Sequence, residues 1–251
     1  YQGQRVLVEG QTFTNQLTSY DSFNPGRFFS DSTLEPYSLT LNTFTPTYQF
    51  DLTSGRANPL DFAADMTLTD GSGARDVVLR VNQPLDHQGT SVYLLGNGFA
   101  PWITVYAPDG DVVFSQPVAF LPQDSNLTSL GVVKIPDGLA SQLGMIGFFY
   151  PSAVALETGA LTSVYPEPDQ PVLTLNVFRG DLGLDEGIPR NVYSLDTESL
   201  TQVTGGETGR DSLVMGLGER VDLPSGLGSV EFTELRRFVS VDVHRDPTQL
   251  P

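Results

Sequence analysis

Val81-Asn82-Gln83-Pro84-Leu85-Asp86-His87-Gln88-Gly89-Thr90-Ser91-Val92-Tyr93 reads as strand, tight turn, strand. The run that leads into it, Asp76-Val77-Val78-Leu79-Arg80-Val81, is apolar and β-branched, which suits a pleated, half-buried surface. Asn82, Pro84 and Gly89 supply turn chemistry, and Ser91-Val92-Tyr93-Leu94-Leu95 resumes the strand.

The same grammar recurs on both sides. Arg5–Glu9 alternates weakly, whereas Tyr37–Phe44 and Phe62–Thr69 alternate cleanly, as strands with one buried face do. Phe62–Thr69 ends at the turn Asp70-Gly71-Ser72-Gly73. Trp102–Tyr106 runs through Pro108-Asp109-Gly110 into Val112–Ser115, a hairpin. Further strands are expected at Leu130–Ile135, Val172–Phe178, Val230–Phe232 and Phe238–Val243. Helical signals are few: a short helix over Asp137–Met145, weakened by Gly138 and Gly144, and a turn over Thr197–Val203 capped by Asp196. Leu182–Pro189 reads as a loop. The expected fold is therefore all-β, mainly antiparallel and sandwich-like. It is read as one elongated domain over 1–251, or as two packed β lobes with a weak sub-boundary near 165–170.

Composition narrows the function classes. Thirty acidic residues against thirteen basic ones give a net charge of −17, and Lys134 is the one lysine. Such a chain repels polyanions, so nucleic acid is set aside as a partner. The 25 glycines and 18 prolines are spread along the chain, as many turns between short strands require. Cysteine is absent, which excludes a disulfide framework, a zinc-finger site and a thiol nucleophile. No apolar run is long enough to span a membrane.

The stretch Val81-Asn82-Gln83-Pro84-Leu85, followed by Gly89 and the aromatic strand, resembles the ResB proteins of cytochrome c biogenesis, of actinobacterial type. Phe13-Thr14-Asn15, the Pro46–Asp51 region, Gly96-Asn97-Gly98-Phe99-Ala100-Pro101 and His244-Arg245-Asp246-Pro247 follow in the matching order. The resemblance implies an extracytoplasmic domain between membrane helices that flank Tyr1 and Pro251. The domain would serve the system II cytochrome c maturation complex. There a CcsA/ResC-type haem-handling membrane protein is the partner, and haem is delivered to apocytochrome c. The domain itself would be a scaffold and not an enzyme, with haem attachment belonging to the complex and no cofactor bound by the isolated domain. Both chain ends would reach one membrane plane, where Arg5 and Arg245 could meet lipid phosphates. The alternative is a secreted β-sandwich that binds carbohydrate or adheres to surfaces.

Candidate site residues are sparse. His87 and His244 are the only histidines, and histidine is a common axial ligand of haem iron. His87 sits at a predicted turn and reads as a solvated surface residue. The resemblance puts His244 beside the last membrane helix, close to haem; the alternative is a strand-end histidine paired with Asp242 or Asp246. Asp181, Asp185 and Glu186 share a glycine-rich loop without the EF-hand spacing. There is no Gly-x-Ser-x-Gly elbow for serine catalysis. Gly96–Trp102 reads as a glycine-aromatic loop in which Phe99 and Trp102 could form an exposed partner patch, or Trp102 could begin a core strand. Phe148 and Phe149, in the most apolar stretch, are either buried or a second partner-binding surface.

Overall fold

In the computed structural model, which describes residues 1–27, 29–184 and 191–246, nearly every element is a strand. The first eight are β1 (Gln2–Val8), β2 (Thr12–Thr14), β3 (Ser22–Asn24), β4 (Ser38–Asp51), β5 (Arg56–Asp70), β6 (Gly73–Arg80), β7 (Leu85–His87) and β8 (Thr90–Tyr106). Next come β9 (Val112–Pro117), β10 (Leu121–Pro122), β11 (Ser129–Ile135), β12 (Leu143–Tyr150), β13 (Ala153–Ala155), β14 (Leu161–Ser163) and β15 (Val172–Arg179). The chain ends with β16 (Thr201–Gln202), β17 (Leu213–Gly216), β18 (Arg220–Asp222) and β19 (Ser229–Arg245). Only short 3-10 turns interrupt them, and the described residues contain no α-helix. The all-β, antiparallel expectation holds.

The chain divides into two units, Tyr1–Asn97 with Arg237–Pro251, and Gly98–Arg236. Both divisions fall inside a strand, β8 or β19. Tyr165–Asp169, read from sequence as a weak boundary, lies within the second unit.

In the first unit a sheet ordered β2-β4-β5-β6 and a sheet ordered β3-β1-β19-β8-β7 supply one core. Leu39, Leu41, Met66 and Leu68 come from the former, and Leu7, Val92, Val239 and Val241 from the latter. The period-2 alternation of β4 and β5 puts these side chains on one face, which is why both strands were legible. Both run past their sequence-predicted ends. Beyond Phe44 and Ala64 they continue as a two-stranded ribbon to Asp51 and Arg56, with a register shift at Thr47/Tyr48.

In the second unit the sheet β10-β11-β12-β15-β16, with β17 also on β15, shares a core with β8, β9, β18 and β19 residues. Phe99, Phe120, Phe149 and Phe232 are each at most 1% exposed there. Gly131 and Gly147 face each other across β11 and β12. A Cβ on Gly131 would stand 2.3 Å from the Phe120 ring, so glycine makes room for that ring.

Three local expectations are corrected. Asp137–Met145 is not a helix: Gly138 turns with φ +94 and β12 begins at Leu143. Gly96–Trp102 is not a loop but the middle of β8. Val230–Phe232 and Phe238–Val243 are one strand, β19. The turn at Asp196 is present but shorter than expected: Glu198 N–H donates to the Asp196 carboxylate at 3.1 Å, the turn closes at Leu200, and Thr201 and Gln202 belong to β16.

Candidate functional site

The opening stretch makes two turns where its sequence suggested one. β6 ends at Arg80, the chain folds over Asn82 at φ 65, and Arg80 bridges to Gln83. Pro84, which has no N–H to give a neighbouring strand, precedes β7. Gln88 and Gly89 then take φ values of 49 and 80, the two left-handed residues of a type I′ turn, and His87 faces Thr90. The two turns leave a groove of about 540 Å³ floored by Val81, Pro84, Tyr93 and Leu95, with Arg80 and Asp242 at its rim. Val81, Tyr93 and Leu95 are 45%, 40% and 53% exposed, so core packing does not explain them.

His87 contradicts its reading as a solvated residue: it is 6% exposed. An Arg75 guanidinium N–H donates to its Nδ1 at 3.1 Å, and its Nε2 lies 3.5 Å from Asp70 Oδ2. Tyr37 meets the ring edge to face at 5.3 Å. Burial follows because the β5–β6 turn and the β7–β8 turn bring their polar groups to one place. A guanidinium can only donate, so Nδ1 must accept and the neutral ring keeps its proton on Nε2, toward Asp70. That tautomer offers no lone pair to iron.

Asp70 accepts the Ser72 hydroxyl at 2.6 Å and the Ser72 backbone N–H at 2.8 Å. These bonds lower its carboxyl from 3.8 to about 2, with Arg75 adding to the effect. A depressed folded-state value stabilises above the unfolded pKa and is lost as pH falls toward the folded one. Asp70 therefore contributes fully above about pH 4, and that contribution disappears between about pH 4 and pH 2. The melting temperature should fall in this window, and Ser72→Ala should flatten that part of the curve. An unchanged acid limb in Ser72→Ala would contradict the assignment.

Tyr37 and Asp70 also line an open cavity of about 750 Å³, together with Asn15 and Asp31. Asn15, itself buried, accepts from the Tyr20 hydroxyl and donates to Tyr1 Oη at 3.3 Å and Glu35 O at 2.9 Å. Burial pushes the Tyr20 and Tyr37 phenols well above the ordinary tyrosine range, so both stay neutral.

His244 is exposed on β19, opposite Gln2. Strand alternation puts it on the face that carries Asp242. Asp242 accepts from Gln2 Nε2 at 2.8 Å, in place of the expected pairing with His244. Arg5 and Arg245, expected at lipid phosphates, donate inside the unit, to Ser19 O and to Thr33 O and Glu35.

The aromatic candidates of the second unit separate. Phe99 and Phe149 are core residues, 1% and 0% exposed, which corrects their reading as docking residues. The cause is strand parity: in β12 Phe149 points inward and Phe148, 39% exposed, points out. Trp102 is half-buried, donates its indole N–H to Ser115 Oγ at 2.8 Å and carries the Arg236 guanidinium 4.6 Å above its ring. In the acidic loop Asp181 caps Gly183 N–H at 2.8 Å, while Asp185 and Glu186 lie outside the described residues. Among the described residues no three histidine, aspartate or glutamate side chains are grouped to hold a metal ion.

Sequence reasoning missed Asp70, Arg75 and Tyr37, which surround His87. Asp70 was visible only as a turn residue, and nothing local announces that its turn reaches the next hairpin.

A model of the ResB-like family matches residues 1–251, and the chain belongs to that family. No curated protein and no solved structure matches it. Membership makes the chain part of a cytochrome c biogenesis subunit.

Proposed function

We propose that this ResB-like chain is the extracytoplasmic scaffold of a membrane subunit in system II cytochrome c maturation, supporting haem delivery to apocytochrome c. The observation that carries the anchoring is the pairing of the described chain ends. The Tyr1 backbone nitrogen donates to Arg245 O at 2.9 Å, and Arg245 N–H returns a bond to Tyr1 O at 2.9 Å. Flanking helices starting from adjacent points can enter one bilayer without strain on the domain. Among the described residues no helix is long and apolar enough to cross a membrane, so anchoring falls to segments outside the domain. Membership of the ResB-like family displaces the reading as a carbohydrate-binding or adhesion sandwich.

Haem is cargo of the complex in this reading. His87 is buried with its Nε2 proton facing Asp70, and His244 stands singly on an exposed strand face. Neither arrangement encloses a porphyrin. Phe148 and Trp102 remain the aromatic side chains through which the second unit would meet the CcsA/ResC-type partner. Titrating the isolated domain with haem should give no sharp Soret shift and no tight one-to-one complex. A tight complex lost in His244→Ala would reverse the assignment of haem to the complex.

The direct test removes this segment from the parent protein in cells. Covalent haem on c-type cytochromes should be lost while apocytochrome is still made, and protease added from the extracytoplasmic side should reach the segment. Normal haem attachment without the segment, or access only from the cytoplasm, would overturn the proposal.

A further inference from the structure

We propose that the edge of β8 between Tyr93 and Asn97 takes up an extended segment of a partner polypeptide as an added strand. The pairing phase of the β7–β8 hairpin sets which backbone groups face that edge. A two-residue turn closes on a doubly hydrogen-bonded pair, here His87 and Thr90, and the next such pair is Leu85 with Val92. Carried forward along the strand, Leu94 turns its N–H and C=O groups to the same side, and the phase changes before Phe99 and Pro101, whose C=O groups accept from Phe120 and Val118. β7 no longer runs there. It begins at Leu85, and the chain before it leaves the sheet at Pro84 and folds back over the Arg80–Gln83 bridge. Among the described residues no strand pairing with Leu94 exists on that side.

Open edges attract strands, and the first unit blunts its others. β6 carries Arg75, Asp76 and Arg80, and the β4–β5 ribbon carries Pro46, Pro59 and the register shift at Thr47/Tyr48. Tyr93–Asn97 has neither charge nor proline. A Cβ placed on Gly96 would meet nothing within 4 Å, so the sheet face above it is uncovered as well.

The occupant follows from the chemistry of the edge. Donor and acceptor groups repeating about every 6.8 Å along a strand match a peptide backbone, not a porphyrin or a sugar. The groove of Val81, Pro84, Tyr93 and Leu95 beside them favours apolar side chains at alternate positions. The partner is thus an unfolded or extended stretch about five residues long. The inference deepens the scaffold reading by giving its polypeptide partner a seat, but the edge stands without it.

The test uses the whole chain and an acetylated, amidated hexapeptide of alternating valine and threonine with one terminal arginine. On saturation the Leu94 amide should exchange with solvent at least about tenfold more slowly. The same peptide N-methylated at alternate amides should bind at least about tenfold more weakly. Leu95→Asp should weaken binding as much, without altering the melting temperature of the free chain. Equal binding of the N-methylated peptide, no binding at millimolar concentration, or a Leu94 amide as protected in the free chain as that of Val92 would each overturn the proposal. Peptide binding in a chain whose removal leaves haem attachment intact would keep this site and reject the scaffold reading.

Discussion

Phe149→Ala is expected to cost the fold about 3–5 kcal/mol, whereas Phe148→Ala, one residue away, should cost within about 0.5 kcal/mol. Phe149 is fully buried, with its ring 5.2 Å from Phe99 and 6.0 Å from Phe232. Truncation removes apolar area and leaves a void that the three remaining core phenylalanines of the unit, Phe99, Phe120 and Phe232, cannot refill, because close-packed rings have little room to move. Phe148 lies on the outer face of the same strand, with its ring stacked 6.3 Å from Tyr150. Urea unfolding of both variants decides the matter. Equal losses would mean that the parity of β12 is misassigned. If Phe148 meets a partner, Phe148→Ala should lower haem attachment in cells without lowering stability.

What was legible in the sequence depended on how far its cause reached along the chain. Alternation and turn chemistry are local, so β4, β5, β11, β15 and the β8–β9 hairpin could be read from short windows. The Asp109-Gly110 connection shows why: Gly110 adopts φ +94, a conformation its neighbours tolerate poorly. Gly96–Trp102 misled because glycine and proline usually break strands, whereas here β8 continues through Pro101, with Phe99 and Ile103 filling core positions on either side of it. The site was less legible than the fold. Val81 to Pro84 was read for its turn, and only the register reveals that this turn withdraws β7 from the edge of β8. His87 was read as solvated because its neighbours Asp86 and Gln88 are polar; its burial comes from Tyr37, Asp70 and Arg75, which are remote in sequence.

That distant origin gives His87 its expected weight. His87→Ala should destabilise the first unit by about 2–4 kcal/mol, combining a lost buried ring with polar groups left unpaired. The imidazole joins two turns: Asp70 and Arg75 belong to the β5–β6 hairpin, and Thr90 opposite His87 belongs to β8. Without it, Arg75 loses the acceptor at 3.1 Å and Tyr37 the ring it packs against. Arg75 is half exposed and finds water readily, so most of the loss arises from the enclosed Tyr37–Asp70 side. His87→Asn supplies an acceptor near the position of Nδ1 and should recover part of the stability. A haem ligand would behave in the opposite way: His87→Ala would leave the melting temperature unchanged and abolish haem attachment, and His87→Asn would restore neither. A structural histidine instead lowers haem attachment only as far as it lowers the folded population, so stabilising the domain elsewhere should rescue both together.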